Sequence, residues 1–194
     1  FVNVFRSLEK KALIIDDPED LKKCSHILMP GVSSWDTTMQ SVNRFKNTDT
    51  LLDCVFTKKI PFLGICVGMQ ILASHSEEGT MDGLKWIDGN VRKLPVDRLS
   101  LNDYFSGPKL PHMGWNNINM LKGKLFKGIE SNEDTYFVHS YYCMPDNEMD
   151  VLLTVDYGLP FTAAVERGNI YGVQFHPEKN QQVGLQILEN FLAI

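Results

Sequence analysis

The chain has 194 residues, 43% hydrophobic and 22% charged, a composition typical of one globular domain. Its formal net charge is −5, and no run of Lys or Arg is long enough to follow a phosphate backbone, so a nucleic-acid partner is not expected. The sequence has no run of eighteen apolar residues and no signal-peptide pattern, so neither a membrane span nor export is expected.

Four cysteines are scattered along the chain without a C-x-x-C pair: Cys24, Cys54, Cys66 and Cys143. This spacing argues against a disulfide framework or a zinc site and predicts a reducing, cytoplasmic location. We assign the cysteines other than Cys66 to packing. The sequence also lacks both common glycine-rich phosphate-binding motifs and any cluster of metal ligands, so we expect neither a cofactor nor a metal.

The first third of the chain alternates between helical and strand patterns. Apolar residues at 1, 4, 5 and 8 have helical spacing, and since an α/β domain normally leads with a strand, we expect a strand and a glycine turn to precede Phe1. Residues 13–15 are predicted as a strand, 17–21 as a helix start and 27–29 as the next strand, which implies parallel pairing.

A glycine turn at residues 30–33 is predicted to end that strand. Ser34 or Asp36 is the expected cap of a helix reaching residue 45, and 50–58 is a second helical stretch. Residues 62–65 have the continuous apolar pattern of a strand buried on both faces. That strand is predicted to feed a helix that extends to about residue 75.

After this helix the sequence pattern changes to short runs typical of β-strands, at residues 90–94, 115–120, 135–142, 151–155 and 161–165. These runs predict a mixed or antiparallel extension of the sheet. Residues 170–175 are another buried strand, and 182–192 form a closing amphipathic helix. No linker or repeat interrupts the chain, so we predict a single α/β domain over residues 1–194.

Cys66 lies where the buried strand passes into its helix, with Gly64 two residues before it and Gly68 two residues after it. Glycines at these positions permit the crowded backbone of a strand-to-helix nucleophile elbow. Unpaired N–H groups at the helix start favour an anion, so a thiolate becomes accessible near neutral pH. The alternative is that Cys66 is a small buried hydrophobe.

A cysteine nucleophile needs a base, and the base needs an orienting group. His176 and Glu178 stand at the tip of the last predicted strand, separated by Pro177, which keeps His176 out of helical geometry. In an extended chain, residues two apart point to the same side, so the imidazole and the carboxylate can meet. Taken alone, the same three residues are equally consistent with a structural turn.

Other residues near the elbow fit acyl transfer. The N–H of Val67 and the turn containing Gly31 and Val32 offer donors for an oxyanion. Gln70 lies four residues after Cys66 on the same helix face, where its amide can hold a polar substrate, although a solvated helix residue fits the spacing equally well.

Residues 64–70 together with 176–178 resemble the class I (triad) glutamine amidotransferases. The strings at 111–116, 137–141 and 174–179 are similar to one branch of that family, the glutaminase subunits that serve imidazole glycerol phosphate synthesis in histidine biosynthesis. The resemblance covers essentially the whole chain. It implies a three-layer, flavodoxin-like fold with a mostly parallel central sheet and helices on both faces.

The resemblance also implies roles for individual residues. Cys66 would be the nucleophile, His176 the general base and then acid, and Glu178 the residue that orients His176. The implied oxyanion hole consists of Gly31, Val32 and Val67, and the implied glutamine site of Gln70, Ser140 and Tyr141.

By the same resemblance, L-glutamine would be cut through a thioester, and the ammonia would pass to a (β/α)8 cyclase partner in a heterodimer that makes imidazole glycerol phosphate and AICAR. The implied partner surface consists of Pro111, His112, Met113, Gly114, Trp115, Asn116 and Lys179. Trp115 is the expected anchor, its alternative role being to fill a local core. Asn180 departs from the serine usual in the family, and the expected missing N-terminal turn would lie at this interface.

Three other functions remain open at this point. A paralogous glutaminase feeding another synthase, such as a sugar amidotransferase, would have the same residues around the thiol. A stand-alone cysteine hydrolase would share the elbow but not the restriction to glutamine. A non-catalytic interaction module would keep the residues without their alignment.

Overall fold

The computed structural model describes residues 1–44, 48–96, 108–118, 123–180 and 182–194. The α-helices within these ranges are α1 (Val2–Ser7), α2 (Trp35–Arg44), α3 (Thr48–Leu52), α4 (Val67–Gln70) and α5 (Val183–Leu192). A π-helical turn at Asp53–Thr57 follows α3. Short 3₁₀ turns lie at Pro18–Lys23, Lys124–Phe126, Glu148–Asp150 and Pro177–Lys179. No helix in the described ranges is long and apolar enough to cross a bilayer.

The strands within the same ranges are β1 (Ile27–Gly31), β2 (Phe62–Cys66), β3 (His75–Ser76), β4 (Gly89–Lys93), β5 (His112–Ile118), β6 (Glu133–His139), β7 (Tyr141–Pro145), β8 (Val151–Asp156), β9 (Pro160–Arg167) and β10 (Ile170–Val173). The main sheet has the order β1-β2-β10-β9-β7-β4-β3, and β8 pairs with β9. Strands β5 and β6 form a separate two-stranded sheet.

The sheet is mixed. Strands β1, β2 and β10 run parallel, and from β10 onward the β9, β7 and β4 pairs are antiparallel. In the parallel part, Ile65 pairs with Val173 and Gly31 with Cys66. Strands β1 and β2 therefore end together at the thiol, and β10 ends beside them.

Two hydrophobic cores cover the two faces of this sheet. One contains Phe5 of α1 and the inward face of α5, and the other contains the inward face of α2. The buried residues of α2 recur at helical spacing: Trp35, Thr38, Met39 and Val42. Strand β2 lies between the cores with every residue buried, as its continuous apolar pattern predicts.

Most predicted elements are confirmed. The opening and closing helices, the parallel strand at 27–31, the buried strands at 62–66 and 170–173 and the antiparallel extension are all present. The predicted helix start at 17–21 is a 3₁₀ turn whose first N–H is capped by Asp17. Residues 45, 119 and 120, at the ends of a predicted helix and a predicted strand, lie outside the described residues.

The strand predicted at residues 13–15 is wrong. These residues have no regular structure, and the side chains of Leu13 and Ile14 are 49% and 76% exposed. Among the described strands, β1 stands at the end of the sheet order and pairs with β2, and residues 13–15 do not join its outer edge. Three apolar residues favour a strand only when a neighbouring strand supplies hydrogen bonds and a covered face.

The helix after Cys66 is shorter than predicted, ending at Gln70 rather than near residue 75. The carbonyls of Ile71 and Ala73 accept backbone hydrogen bonds from Leu84 and Lys85. Those carbonyls would otherwise accept from amides four residues further along the helix. The returning chain thus replaces the helical ladder, and His75 enters strand β3.

Helix α2 begins close to the predicted position, but neither expected side chain caps it. The carboxylate of Glu78 accepts the Trp35 N–H at 2.9 Å. Asp36 instead accepts the backbone N–H groups of Thr80 and Met81, each at 3.0 Å. The loop at 77–81 therefore holds the start of α2 and the turn before it.

Candidate active site

Cys66 lies between β2 and α4 with φ 56° and ψ −116°. A positive φ is uncommon for a residue with a side chain and is held only where the surrounding structure enforces it. The residue is 5% exposed at the end of two adjacent parallel strands. This is the strained backbone of a nucleophile elbow.

Three glycines make this elbow possible. A Cβ on Gly64 would overlap the carbonyl of Gly68, and a Cβ on Gly68 would overlap the carbonyl of Met29. A Cβ on Gly31 would overlap the backbone N of Gly68. The expected clash at the two flanking glycines is therefore confirmed, and the turn after β1 proves equally tight.

His176 and Glu178 meet at the end of β10. The Nδ1 of His176 lies 2.8 Å from the Oε1 of Glu178. His176 is extended, as Pro177 predicts, but Glu178 lies in the 3₁₀ turn Pro177–Lys179. The predicted pairing is present, whereas its expected cause, an extended chain, is wrong, because a tight turn brings the two side chains together.

The imidazole of His176 lies between an anionic group and the thiol. Burial favours its neutral form, but the neighbouring Cys66 and Glu178 outweigh burial and raise the pKa of His176 to about 9. The His176 Nε2 is buried and has no hydrogen-bond partner among the described residues, so Cys66 is a neighbour of the imidazole without a formed hydrogen bond to it. Burial also works against ionised Glu178, yet its hydrogen bond to His176 lowers the pKa of that carboxyl.

The sulfur of Cys66 has two polar neighbours besides the imidazole. The backbone carbonyl of Val138 lies 3.9 Å from Sγ, and Nε2 of Gln174 lies 3.7 Å from it. Gln174 is fully buried, and its Oε1 accepts from Gln70 Nε2 at 3.0 Å. The solvated interpretation of Gln70 is wrong, since that residue is 2% exposed.

Two of the three predicted glutamine-binding residues, Gln70 and Tyr141, are joined by a hydrogen bond. The Tyr141 carbonyl accepts from Gln70 Nε2 at 2.9 Å and from His139 Nδ1 at 2.8 Å. The Ser140 carbonyl accepts from the Leu94 N–H. Gln70 and the segment 140–141 are thus joined directly, on the side of Cys66 that carries Gln174.

Two buried histidines extend this network outward. His139 Nε2 lies 3.1 Å from Nδ1 of His112, and Nε2 of His112 lies 3.4 Å from Nδ2 of Asn116. Because a carbonyl can only accept, His139 donates to Tyr141 through Nδ1, and Nε2 therefore accepts from His112. Burial lowers the pKa of His112 to about 4 and that of His139 to about 3, so both are neutral.

The predicted partner surface is divided by the alternation of β5. Met113 and Trp115 are 61% and 56% exposed, whereas His112 is buried. Trp115 contacts the ring of Tyr136 edge-on, and Lys179 Nζ lies 5.9 Å from the centre of that ring. Filling a local core is therefore excluded as the role of Trp115.

The remaining members of that surface differ in exposure. Pro111 is exposed, and Gly114 and Asn116 are half-buried. Asn116 donates to the Asp156 carbonyl at 2.9 Å, which ties β5 to the end of β8.

The predicted oxyanion donors lie around the thiol. Gly31 is the register partner of Cys66, and Val32 follows with its side chain 88% exposed. Val67 opens α4, where the first backbone N–H groups have no acceptor within the helix. The three residues are brought to one edge of the sheet, as the sequence predicts for strands that end together.

Sequence reasoning gave no role to Gln174, His139 or the loop residue Glu78. For Gln174 a signal was available, because a glutamine in a run of apolar residues must have a buried partner. Contacts of Glu78 with α2 span 43 residues and leave no local pattern. Within the described ranges, no three His, Cys, Asp or Glu side chains are grouped closely enough to hold a metal ion.

A family model, "Glutamine amidotransferase class-I", matches residues 2–194. Over 195 residues the chain is 44% identical to the imidazole glycerol phosphate synthase subunit HisH of Leptospira interrogans, which covers all of this chain and 93% of that relative. The chain belongs to the class I glutamine amidotransferase family. It is 38% identical to HisH 2 of Pseudomonas aeruginosa, with coverage of 100% of this chain and 92% of the relative.

This amidotransferase also has the fold of its family. A crystal structure described as a glutamine amidotransferase superposes with a TM-score of 0.71 at 17% identity, covering 99% of this chain and 90% of the other. At that identity the likeness concerns the fold alone. The α/β fold class and the family inferred from the sequence are confirmed, and the chain is an enzyme of the glutamine amidotransferase class.

Proposed function

We propose that this amidotransferase is the glutaminase subunit of an imidazole glycerol phosphate synthase. Its relatives in Leptospira interrogans and Pseudomonas aeruginosa carry that name and match the chain from end to end. One observation carries the proposal. Cys66 stands at its elbow beside the imidazole of His176, which in turn is hydrogen-bonded to Glu178; these three residues form the catalytic line. The reaction is hydrolysis of the side-chain amide of L-glutamine to glutamate and ammonia.

The first step forms a thioester. With its pKa near 9, His176 carries the proton at neutral pH, and Cys66 attacks the side-chain carbonyl carbon of glutamine as the thiolate. The C=O electron pair moves onto oxygen to give a tetrahedral oxyanion. His176 then donates its proton to the amide nitrogen, the C–N bond breaks, and ammonia leaves.

Hydrolysis of the thioester completes the cycle. His176, now neutral, takes a proton from a water molecule that attacks the thioester carbon. Collapse of the second tetrahedral intermediate releases glutamate and returns the sulfur as thiolate beside the imidazolium. Glu178 holds Nδ1 of His176 throughout, so that Nε2 faces the sulfur and the substrate.

Backbone and amide groups around the thiol complete the proposed site. We assign the N–H groups of Val67 and of the Gly31–Val32 turn to the oxyanion, where one donor is worth about a hundredfold or more in rate. We assign Gln70 and the backbone at Ser140 and Tyr141 to glutamine. Because both of these Gln70 N–H contacts go to protein acceptors, the carbonyl oxygen of Gln70 is its group for the substrate.

The ammonia passes to a (β/α)8 cyclase partner, which uses it to make imidazole glycerol phosphate and AICAR. Ammonia released into water at neutral pH becomes ammonium, which is not a nucleophile, so direct transfer preserves its reactivity. Met113, Trp115 and Lys179 form the exposed part of the partner surface, with Pro111, Gly114 and Asn116 beside them. His112 supports this surface from within, because its side chain is buried.

The catalytic assignment is tested by Cys66→Ala, with Cys143→Ala as the matched control at another buried cysteine. Glutamate release from L-glutamine is measured in the presence of the cyclase partner from the same organism. Cys66→Ala is expected to abolish release while co-purification with the partner survives. The control should retain wild-type activity, and turnover persisting in Cys66→Ala would reject the mechanism.

A second candidate is a paralogous glutaminase that feeds a different synthase. The Pseudomonas aeruginosa relative, HisH 2, bears a number, which favours considering more than one such subunit. Growth of a histidine auxotroph lacking its own glutaminase subunit distinguishes the two. Rescue by the wild-type chain but not by Cys66→Ala supports the histidine pathway, and failure of a well-expressed wild-type chain favours the paralogue.

A further inference from the structure

The buried amide of Gln174 connects the thiol to the proposed glutamine site. Strands β2 and β10 are parallel, with Ile65 opposite Val173, so the next residues along each strand, Cys66 and Gln174, are neighbours. The Gln174 Nε2 lies 3.7 Å from the sulfur, and its Oε1 accepts from Gln70 at 3.0 Å. Gln70 in turn donates to the Tyr141 carbonyl.

A fully buried amide is costly unless its donors and acceptor are satisfied. The oxygen of Gln174 has a strong partner in Gln70, but its nitrogen donates to sulfur. A neutral thiol is a weak acceptor, whereas a thiolate is a charged one, and hydrogen bonds to charged groups are about twice as strong. The contact therefore favours the ionised sulfur.

The other polar neighbour of the sulfur has the opposite preference. The Val138 carbonyl, at 3.9 Å, can only accept and so interacts favourably with an S–H group. Once the proton resides on His176, that contact loses its hydrogen, and Gln174 donates to the sulfur alongside the imidazolium. The two contacts thus bind different protonation states of one atom.

We propose that Gln174 is a positioning residue that donates a hydrogen bond to the Cys66 thiolate and is itself held by Gln70. The proposal rests on the glutaminase function above and deepens it. One hydrogen-bonded unit, from the Tyr141 carbonyl through the two glutamines to the sulfur, fixes the nucleophile relative to the proposed glutamine site. Binding of glutamine and orientation of the thiolate are then properties of the same rigid group.

The titratable side chains that face this unit are His176, Glu178 behind it, and His139 on β6. His139 is neutral throughout the range tested, because its pKa is about 3. His176 and Glu178, which form an ion pair, are both retained in a Gln174 variant. A change in the pH dependence of thiol reactivity in that variant therefore reports the lost donor.

The test is Gln174→Met, which keeps the length and apolar stem but removes the donor. The control is Gln186→Met on α5, the same exchange at a half-buried glutamine bonded to Asn190. The rate of alkylation of Cys66 by iodoacetamide is followed by peptide mass spectrometry from pH 6 to pH 10. Glutamine turnover with the cyclase partner is measured in parallel, and circular dichroism checks folding.

Gln174→Met is expected to be alkylated about tenfold more slowly than wild type at pH 7, because it lacks the donor to the thiolate, and within about twofold of wild type at pH 10. Turnover number should fall about tenfold, with KM for glutamine changed less than about threefold. The control should match wild type in both measurements. Equal alkylation of variant and wild type at pH 7, or the same loss at every pH, would overturn the proposal.

A second variant keeps the test valid if Gln174→Met fails to fold. Gln174→Asn retains the amide but withdraws it from the sulfur by one methylene, and it should show the same loss confined to neutral pH. Failure of this inference is distinct from failure of the proposed function. An active wild-type enzyme with unaffected Gln174 variants refutes only the positioning role, whereas a wild-type enzyme without glutaminase activity refutes the function itself.

Discussion

The proposed catalytic line from Cys66 through His176 to Glu178 depends on a residue held in an unfavourable backbone conformation. A φ of 56° at Cys66 costs of order 1–3 kcal/mol and is compensated by the burial of β2 and the packing of Gly31, Gly64 and Gly68 against one another. The strain fixes the thiol at the end of β2, at the margin of one of the two cores. The unfavourable backbone conformation of Cys66 therefore orients its thiol.

Glu178→Gln tests the orienting role of the carboxylate. The amide cannot stabilise the imidazolium, so the pKa of His176 should fall and less of the enzyme should hold the thiolate–imidazolium pair at neutral pH. We expect the turnover number to fall on the order of 10²-fold or more, with partner binding retained. Steady-state glutamate release across pH 6–10 measures it, and activity within a factor of two of wild type would exclude the role.

For individual residues, the sequence predicts the elbow at Cys66 and the pairing of His176 with Glu178. It does not predict the turn that brings those two side chains together. The flanking glycines are a local signal, because the steric demand lies within a few residues. The turn that aims Glu178 depends on how the chain packs against α5 and is not local. The apolar run around Gln174 indicates that its amide has a buried partner, but it does not identify that partner, because Gln70 is 104 residues away.

Helix α5 supports the turn that carries the proposed catalytic pair, His176 and Glu178. A Cβ on Gly184 would overlap the Pro177 carbonyl, so glycine lets the helix approach the turn directly. The sequence pattern predicts this helix and its buried face, but the close approach depends on tertiary packing. The helix therefore supports the site through its contact with this turn.

Gly184→Ala measures this support. Alanine favours a helix by up to about 1 kcal/mol over glycine. Here the overlap with a backbone carbonyl costs about 1–3 kcal/mol and wins. We expect lower stability in chemical denaturation and at least a tenfold loss of turnover, as the turn bearing His176 moves.

Glu189→Ala, on the exposed face of α5, is the control and should match wild type. A Gly184→Ala protein more stable than wild type with full activity would show that the contact does not position the turn.

The start of α2 shows that the residues that cap a helix cannot always be found from the sequence near it. Its capping group Glu78 and the partners of Asp36 come from a loop about 43 residues away. Ordinary capping rules search the few residues before the helix and so pointed to Ser34 or Asp36. Likewise, α4 does not continue past Gln70 because amides from the chain near residue 84 occupy the carbonyls of Ile71 and Ala73, which follow the helix.

In the whole molecule, a sheet between two cores brings the ends of β1, β2 and β10 to one edge, and β5 with β6 cover it. The connection between this cover and the site is a line of neutral histidines, His112 and His139, that ends on the Tyr141 carbonyl. Each member must be neutral, since one additional proton would place two donors face to face. Stability should therefore depend on pH in a specific way.

The free energy of unfolding is expected to be greatest near pH 6.5. Below that pH the unfolded histidines bind protons while His112 and His139, with pKa values of about 4 and 3, resist them, so stability falls by roughly 1–3 kcal/mol per pH unit down to about pH 4. His176 acts in the other direction. With a raised pKa of about 9, its contribution is complete below pH 6.5 and is lost as pH rises through 9.

Denaturant titrations from pH 4 to pH 10 measure the free energy of unfolding on both sides of its maximum, the acid limb below pH 6.5 and the alkaline limb above it. His139→Asn, which keeps a donor for the Tyr141 carbonyl, should make the acid limb shallower by about one proton. Replacement of the exposed His75 by Gln is the control and should leave that limb unchanged. An acid limb of the same slope in His139→Asn and wild type would contradict the neutral pair.

The most direct measurement is covalent labelling of the enzyme, with the proposed cyclase partner present, by a glutamine analogue that carries a diazoketone in place of the side-chain amide. The account predicts one label per chain, on the peptide that contains Cys66, slowed by added L-glutamine and absent from Cys66→Ala. Labelling of Cys24, Cys54 or Cys143 instead, or labelling of Cys66 that L-glutamine does not slow, would contradict it.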